Sequence, residues 1–271
     1  MVATPIGNLA DISLRALHVL GLVDLIACED TRHTGGLLKQ YGLDKPLMAV
    51  HEHNESQSAA PILEQLRSGK RVAYVSDAGT PGISDPGARL VAAVRAAGVA
   101  VIPLPGASSV TTLLSVCGLS SQAPVLFVGF LPSKATERTK AWQALAQQDA
   151  AVVLMEAPHR IEALVQTLSS LGDRRVTIGR ELTKQFEDIA TVPAAGLPTW
   201  LMEDVHRQRG EFVLVVHPPP TASDPAQADA QRVLSLLMAE LPLKTAVRLA
   251  AEITGAPRNA LYQQALTLQR P

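Results

Sequence analysis

Three clusters of small and polar residues have the character of ligand-binding corners. The longest runs Ser76-Asp77-Ala78-Gly79-Thr80-Pro81-Gly82-Ile83-Ser84-Asp85-Pro86-Gly87. It joins a short apolar run at 71–76 to a helical pattern at 86–97, with Asp85 placed as N-cap, Pro86 as first helical residue and Gly98 as stop. A plain turn needs far fewer residues. The backbone here is therefore expected to approach a ligand, with Asp77 supplying a fixed charge. Thr4-Pro5-Ile6-Gly7-Asn8-Leu9 and Pro105-Gly106-Ala107-Ser108-Ser109 have the same character. Either alone reads equally well as a tight turn between strand and helix. Three of them at the carboxyl ends of strands converge on a pocket, where open α/β sheets hold ligands. The patterns G-x-x-x-x-G-K-[ST] and G-x-G-x-x-G are both absent, which disfavours P-loop and nicotinamide chemistry.

Ionisable residues cluster at other strand ends. Glu29-Asp30-Thr31-Arg32 reads either as a salt-bridged helix cap or as a polar wall of the pocket. In His51-Glu52-His53-Asn54 the glutamate points away from the two histidines on an extended segment, so a substrate-contact loop is expected and no metal site. Glu156-Ala157-Pro158-His159-Arg160 and Arg180-Glu181-Leu182-Thr183-Lys184 follow strands in the second half. Their basic members suit phosphate contacts by point charge or bidentate fork, although a solvated helix start fits each as well. Lys134, Arg138 and Lys140 form either a basic flap or a surface helix. Lys244, Arg248 and Arg258 lie on two helices spaced like a helix-turn-helix, for which packing against the core is an equal reading.

The elements that must position these residues alternate in type. Apolar runs at 23–28, 47–50, 71–76 and 99–104 read as strands, separated by amphipathic patterns at 11–20, 35–41, 57–67 and 86–97. A further helix runs from 109 to about 116. This rhythm predicts a parallel sheet covered by helices. Ser, Gln and Pro cluster at 118–124, and the pattern then restarts with strands at 125–130, 152–155, 176–180 and 212–217 and helices around Trp142 and at 161–171. Pro218-Pro219-Pro220 opens a polar linker, followed by helices at 228–240, 243–254 and 257–268. Domains are thus expected at 1–119 and 123–218, with a helical extension at 228–271.

With 271 residues, 47% of them hydrophobic, the chain can bury a sizeable core. The two cysteines, Cys28 and Cys117, sit in apolar surroundings without metal-ligand spacing, which predicts structural thiols in a reduced, cytoplasmic protein. No apolar run is long enough for a membrane span, and no signal peptide is recognisable. The formal charge of −1 means that any nucleic-acid contact must rest on a local patch.

The strings at 3–13, 29–32, 51–54, 76–87, 105–109, 129–134, 156–160, 180–184 and 210–212 together resemble the tetrapyrrole methylase superfamily. They are most similar to its members that 2′-O-methylate a cytidine of 16S ribosomal RNA. The likeness runs from residue 2 to about 217 and, more loosely, into the tail. It implies an α/β protein with two αβα domains of the tetrapyrrole methylase type, a cofactor cleft between them and a small helical C-terminal extension. S-Adenosyl-L-methionine is the implied cofactor. Pro5, Asp77, Ala78, Gly79, Ile83, Ser108, Ser109, Met155, Glu156 and Leu182 are expected to bind it. The implied partners are 16S rRNA or the assembled small ribosomal subunit and a second copy of the chain, with neither membrane nor DNA. The family's first strand usually begins several residues before Val2-Ala3-Thr4-Pro5, so a shortened first strand, or a functional start further upstream, is expected.

Methyl transfer from a sulfonium needs the attacking oxygen in line with the breaking bond. A ribose hydroxyl is a poor nucleophile at neutral pH, so a general base is expected to help. Glu29, Asp30, Glu52 and His53 are the catalytic candidates, and residue type does not separate them. Arg32, His51, Asn54, Lys134, Arg160 and Lys184 are expected to contact substrate. Two other readings stand beside this one: a methylase of small tetrapyrroles, and a non-catalytic cofactor-sensing or RNA-binding module. The polar loops and the 3% aromatic content weigh against a macrocycle pocket.

Overall fold

Four consecutive buried residues, Leu25–Cys28, form β1 at the centre of a three-stranded parallel sheet. Its neighbours are β2 (Leu47–Ala49) and β3 (Val72–Val75). Alternate residues face opposite layers. Ile26, Cys28, Ala73 and Val75 pack under α1 (Leu14–Leu22) and α2 (Thr31–Gln40), whereas Ala27 and Tyr74 pack under α3 (Glu55–Arg67) and α4 (Ala88–Ala96). With both faces covered, the strands read as continuous apolar runs. The computed structural model describes residues 1–51, 55–119, 123–219 and 225–268.

Several expectations need correction here. The run at 99–104 is not a strand: only Leu104 pairs, in a single parallel bridge with Val2. Met1 and Val2 lie between it and β3, with Leu104 N–H donating to Met1 O (2.9 Å) and Val2 N–H to Tyr74 O (2.9 Å). The first strand is thus reduced to isolated bridges. Helix α2 starts earlier than 35 because the Asp30 side chain accepts from Arg32 N–H and caps it. Helix α4 starts at Ala88, and Asp85 does not cap it. Its first amides, Gly87 N–H and Leu90 N–H, donate instead to Glu55 Oε1 of α3 at 3.0 and 2.9 Å.

Helix α5 (Ser109–Val116) leads to the second sheet, ordered β4-β5-β8-β6-β7. These strands are β4 (Val125–Phe130), β5 (Ala151–Glu156), β6 (Arg175–Arg180), β7 (Asp188–Pro193) and β8 (Phe212–Val216). Only β4 and β5 run parallel; the other pairs are antiparallel. Sequence patterning missed β7, an edge strand that alternates half-buried and exposed residues. One face of this sheet is covered by α6 (Ala135–Ala146), α7 (Ile161–Ser169) and α8 (Leu197–Met202). The other face receives Leu113 and Cys117 from α5 and the segment after it, against Val153, Val213 and Val215. Gly179 permits this approach, since a Cβ there would lie 2.8 Å from Leu113 Cδ1.

Everything to this point, Met1–His217, is one compact unit; Pro218–Pro271 is a second. The second holds α9 (Pro225–Glu240), α10 (Leu243–Thr254) and α11 (Arg258–Leu268) around Leu234, Val247 and Leu261. Gly255, left-handed at φ 71°, ends α10. Among the described residues no helix is long and apolar enough to cross a membrane.

Candidate functional site

The loops after β3 and before α5 face the starts and ends of strands in the second sheet across a cavity of about 360 Å³. That volume is within the range of small-molecule sites. Hydrogen bonds tie the loops together. Thr4 and Gly79 exchange backbone bonds of 2.9 and 3.0 Å, and Thr80 Oγ1 donates to Ala107 O at 3.0 Å. Gly79 has φ +81°, and a Cβ there would stand 3.3 Å from Ile6 Cγ2. Only glycine lets these two loops meet without strain.

Ala78, Gly79 and Ile83 line the cavity on one side with Ser108 and Ser109; Met155, Glu156 and Leu182 line it from the second sheet. Pro5 and Asp77 do not. Pro5 is buried behind the loop, and its neighbour Ile6 forms the wall instead. The Asp77 carboxylate turns away to accept Asp30 N–H at 3.1 Å, which fastens the long loop to the end of β1. Sequence reasoning missed Asp85, Phe130 and Glu211, which also line the cavity. Asp85 was hidden by its cap-like place before a proline. The loop holding Leu182 has two non-glycine residues in the left-handed region, Glu181 (φ 50°) and Thr183 (φ 68°). Such backbone is held only where its surroundings enforce it.

The cations fall into two groups. Lys184 Nζ lies 2.9 Å from Glu181 Oε1 and 3.0 Å from Glu211 Oε2, and its stem crosses Gly7 so closely that a Cβ there would be 2.3 Å from Cγ. Burial pulls its pKa down, but the two carboxylates leave it above the ordinary lysine value. Arg160 Nε lies 3.0 Å from Glu156 Oε1, and Nη2 donates to Leu131 O. Both side chains brace the cavity wall, as half-buried charges require partners. Arg32, 92% exposed, and Lys134, paired with Glu137 at 3.2 Å, remain open to solvent.

Glu29 and Asp30 stand beside the long loop at the end of β1, outside the cavity lining. The amide and guanidinium of Arg32 hold the Asp30 carboxyl below the ordinary aspartate value. His51 is exposed just beyond β2. Glu52, His53 and Asn54 lie outside the described residues. Burial, with the nearby charge of Asp77, raises the Asp85 pKa against the opposing hydrogen bond from Ser76.

The cavity fits an adenosyl group: small side chains and a left-handed glycine leave backbone exposed on one side, while Met155, Leu182 and Phe212 offer an apolar wall on the other. A family model, tetrapyrrole (corrin/porphyrin) methylases, matches residues 1–198, and a second, the RsmI C-terminal HTH domain, matches 224–269. The chain is 48% identical over 271 residues to the ribosomal RNA small subunit methyltransferase I of Escherichia coli O157:H7, covering 99% of this chain and 94% of that one. It is 47% identical to the protein of the same name from Pseudomonas aeruginosa, covering 99% and 96%. Among solved structures, a cobalt precorrin-4 methyltransferase aligns at TM-score 0.57 and 16% identity, covering 79% of this chain and 92% of that one. A uroporphyrin-III-C-methyltransferase from Thermus thermophilus aligns at 0.56 and 21%, covering 80% and 92%. At these identities the two structures speak to fold.

Proposed function

The chain belongs to the tetrapyrrole methylase family, and on that premise we propose that it is an S-adenosyl-L-methionine-dependent methyltransferase acting on the ribose 2′-hydroxyl of a cytidine in 16S ribosomal RNA, in the decoding region of the small subunit. The observation that carries this reading is the cavity itself, built from three small-residue loops on one side and the β5, β6 and β8 ends on the other. The names of relatives matching almost the full chain support ribosomal RNA as the substrate class.

When bound, S-adenosylmethionine supplies an electrophilic methyl carbon on its sulfonium. Ala78, Gly79, Ile83, Ser108 and Ser109 hold it from the loops, and Met155, Glu156 and Leu182 from the second sheet; Pro5 and Asp77 shape those loops. Glu29, Asp30, Glu52 and His53 are the candidates to take the hydroxyl proton. Arg32 and Lys134 have the exposure that RNA phosphates require, and His51 and Asn54 are further candidates to contact the substrate. Arg160 and Lys184 reach RNA only by exchanging an internal carboxylate for a phosphate. The domains at 1–119 and 123–218 act as the two walls of the cavity, and 228–271 is a helical extension. The protein works in the cytoplasm as a homodimer. Support for pairing comes from edge strand β4, whose Val125 and Leu126 are 48% and 37% exposed.

The alternative substrate, a small tetrapyrrole, is weakened by the polar loops, by the 3% aromatic content and by relatives that match almost the full chain. Incubation with labelled S-adenosylmethionine and small subunits lacking the modification, followed by mapping of the labelled nucleotide, tests the proposal. A ribose-methylated cytidine in 16S rRNA is expected. Label on a base, or only on a uroporphyrinogen-like acceptor, overturns it.

A further inference from the structure

Asp85, Glu156 and Glu211 are the carboxylates that line the cavity. Glu156 has Arg160 at 3.0 Å and Glu211 has Lys184 at 3.0 Å. Asp85 has no lysine, arginine or histidine at ion-pair distance among the described residues. Its neighbours are the Ser76 hydroxyl and the like charge of Asp77, and Tyr74 lies within range of its field. Nor is it spent on α4, whose first amides are satisfied by Glu55. A half-buried acid without an internal cation is costly unless a ligand brings one.

We infer that Asp85 is the counter-charge for the α-ammonium at the amino-acid end of the adenosyl donor. The inference rests on the donor reading above and deepens it. The donor carries two positive groups, and chemistry separates them. The ammonium has three N–H donors and forms charge-assisted hydrogen bonds to a carboxylate; the sulfonium has none. The groups facing Asp85 across the cavity, Glu156 and Glu211, are already neutralised by Arg160 and Lys184, so neither competes for the ammonium. Burial and Asp77 raise the pKa of the ligand-free acid, whereas an ammonium contact lowers it. Between the two values, binding expels a proton from Asp85. Affinity is therefore full above the raised value and declines as pH falls through it.

Calorimetry on the full chain tests this with three compounds: S-adenosylmethionine, S-adenosylhomocysteine, which keeps the ammonium but lacks the sulfonium, and 5′-methylthioadenosine, which lacks both. Asp85→Asn is expected to weaken the first two alike, by roughly ten- to a hundredfold, and to leave the third within about threefold. Wild-type protein should release a proton on binding S-adenosylhomocysteine in mildly acidic buffer, and the variant should not. Unchanged S-adenosylhomocysteine affinity in the variant overturns the inference, as does an equal loss for 5′-methylthioadenosine. Should the variant fold poorly, the wild type decides alone. Its affinity for S-adenosylhomocysteine, not for 5′-methylthioadenosine, must fall with acidity, and level profiles for both overturn the assignment. Wild-type protein that binds none of the three counts against the donor reading itself.

Discussion

Glu55 shows how one side chain can hold a binding loop in place. Its Oε1 takes two amides at the start of α4, immediately after the long loop that lines the cavity. Replacing it with alanine leaves both buried amides without a partner. Glu55→Ala is expected to lower stability by about 1–3 kcal/mol in urea unfolding, and Glu55→Gln by clearly less, since an amide oxygen still accepts. Equal losses would mean that the charge of the carboxylate, rather than an acceptor oxygen at that place, holds the two amides. Gly79 carries a different constraint. Gly79→Ala places a Cβ in left-handed backbone 3.3 Å from Ile6, at about 1–2 kcal/mol. Donor affinity measured by calorimetry should drop, and an unchanged value would remove this loop from the site. Much of the lining was legible because small residues at strand ends announce themselves. Asp77 and Asp85 were not, because composition does not tell which way a loop carboxylate turns: one proved to be a strut and the other a wall.

At the scale of elements, strands buried on both faces were read correctly from their unbroken apolar runs, whereas β7 escaped. Its alternating Asp188-Ile189-Ala190-Thr191 is weak patterning, and the strand is fixed only by its antiparallel partner β6. The run at 99–104 shows the converse: apolar sequence without a partner long enough to make a ladder. One end of the second sheet is expected to respond to pH. Beyond the end of β8, buried His217 meets Thr177 Oγ1 at 2.8 Å through Nε2, and Thr177 meets Thr191 Oγ1 at 2.8 Å. Burial, then Arg175 and Arg174, push the histidine below its ordinary 6.5. The unfolded chain thus binds the proton more readily, so stability is full above about pH 6.5 and is lost as pH falls through the depressed native value. His217→Gln should flatten that acid slope in thermal melts. An unaltered slope would place the acid sensitivity elsewhere.

For the whole molecule, among the described residues the cavity is lined by residues up to Val213, while the tail has a core of its own in Leu234, Val247 and Leu261. A chain ending at 219 is therefore expected to bind donor as well as the full chain. It should bind small-subunit RNA more weakly and with a shallower salt dependence, since Lys244, Arg248 and Arg258 are removed. Equal RNA affinity would exclude the tail from substrate binding. Introducing charge on the open edge, by Val125→Asp with Leu126→Asp, should convert a dimer to a monomer in light scattering; a wild-type monomer would contradict pairing through β4. The most direct measurement is a crystal structure of the chain with S-adenosylhomocysteine. The ligand should occupy the cavity in contact with Gly79 and Ser108 on one side and Leu182 on the other, one per chain. Ligand density elsewhere, with these loops and strand ends untouched, would contradict the account.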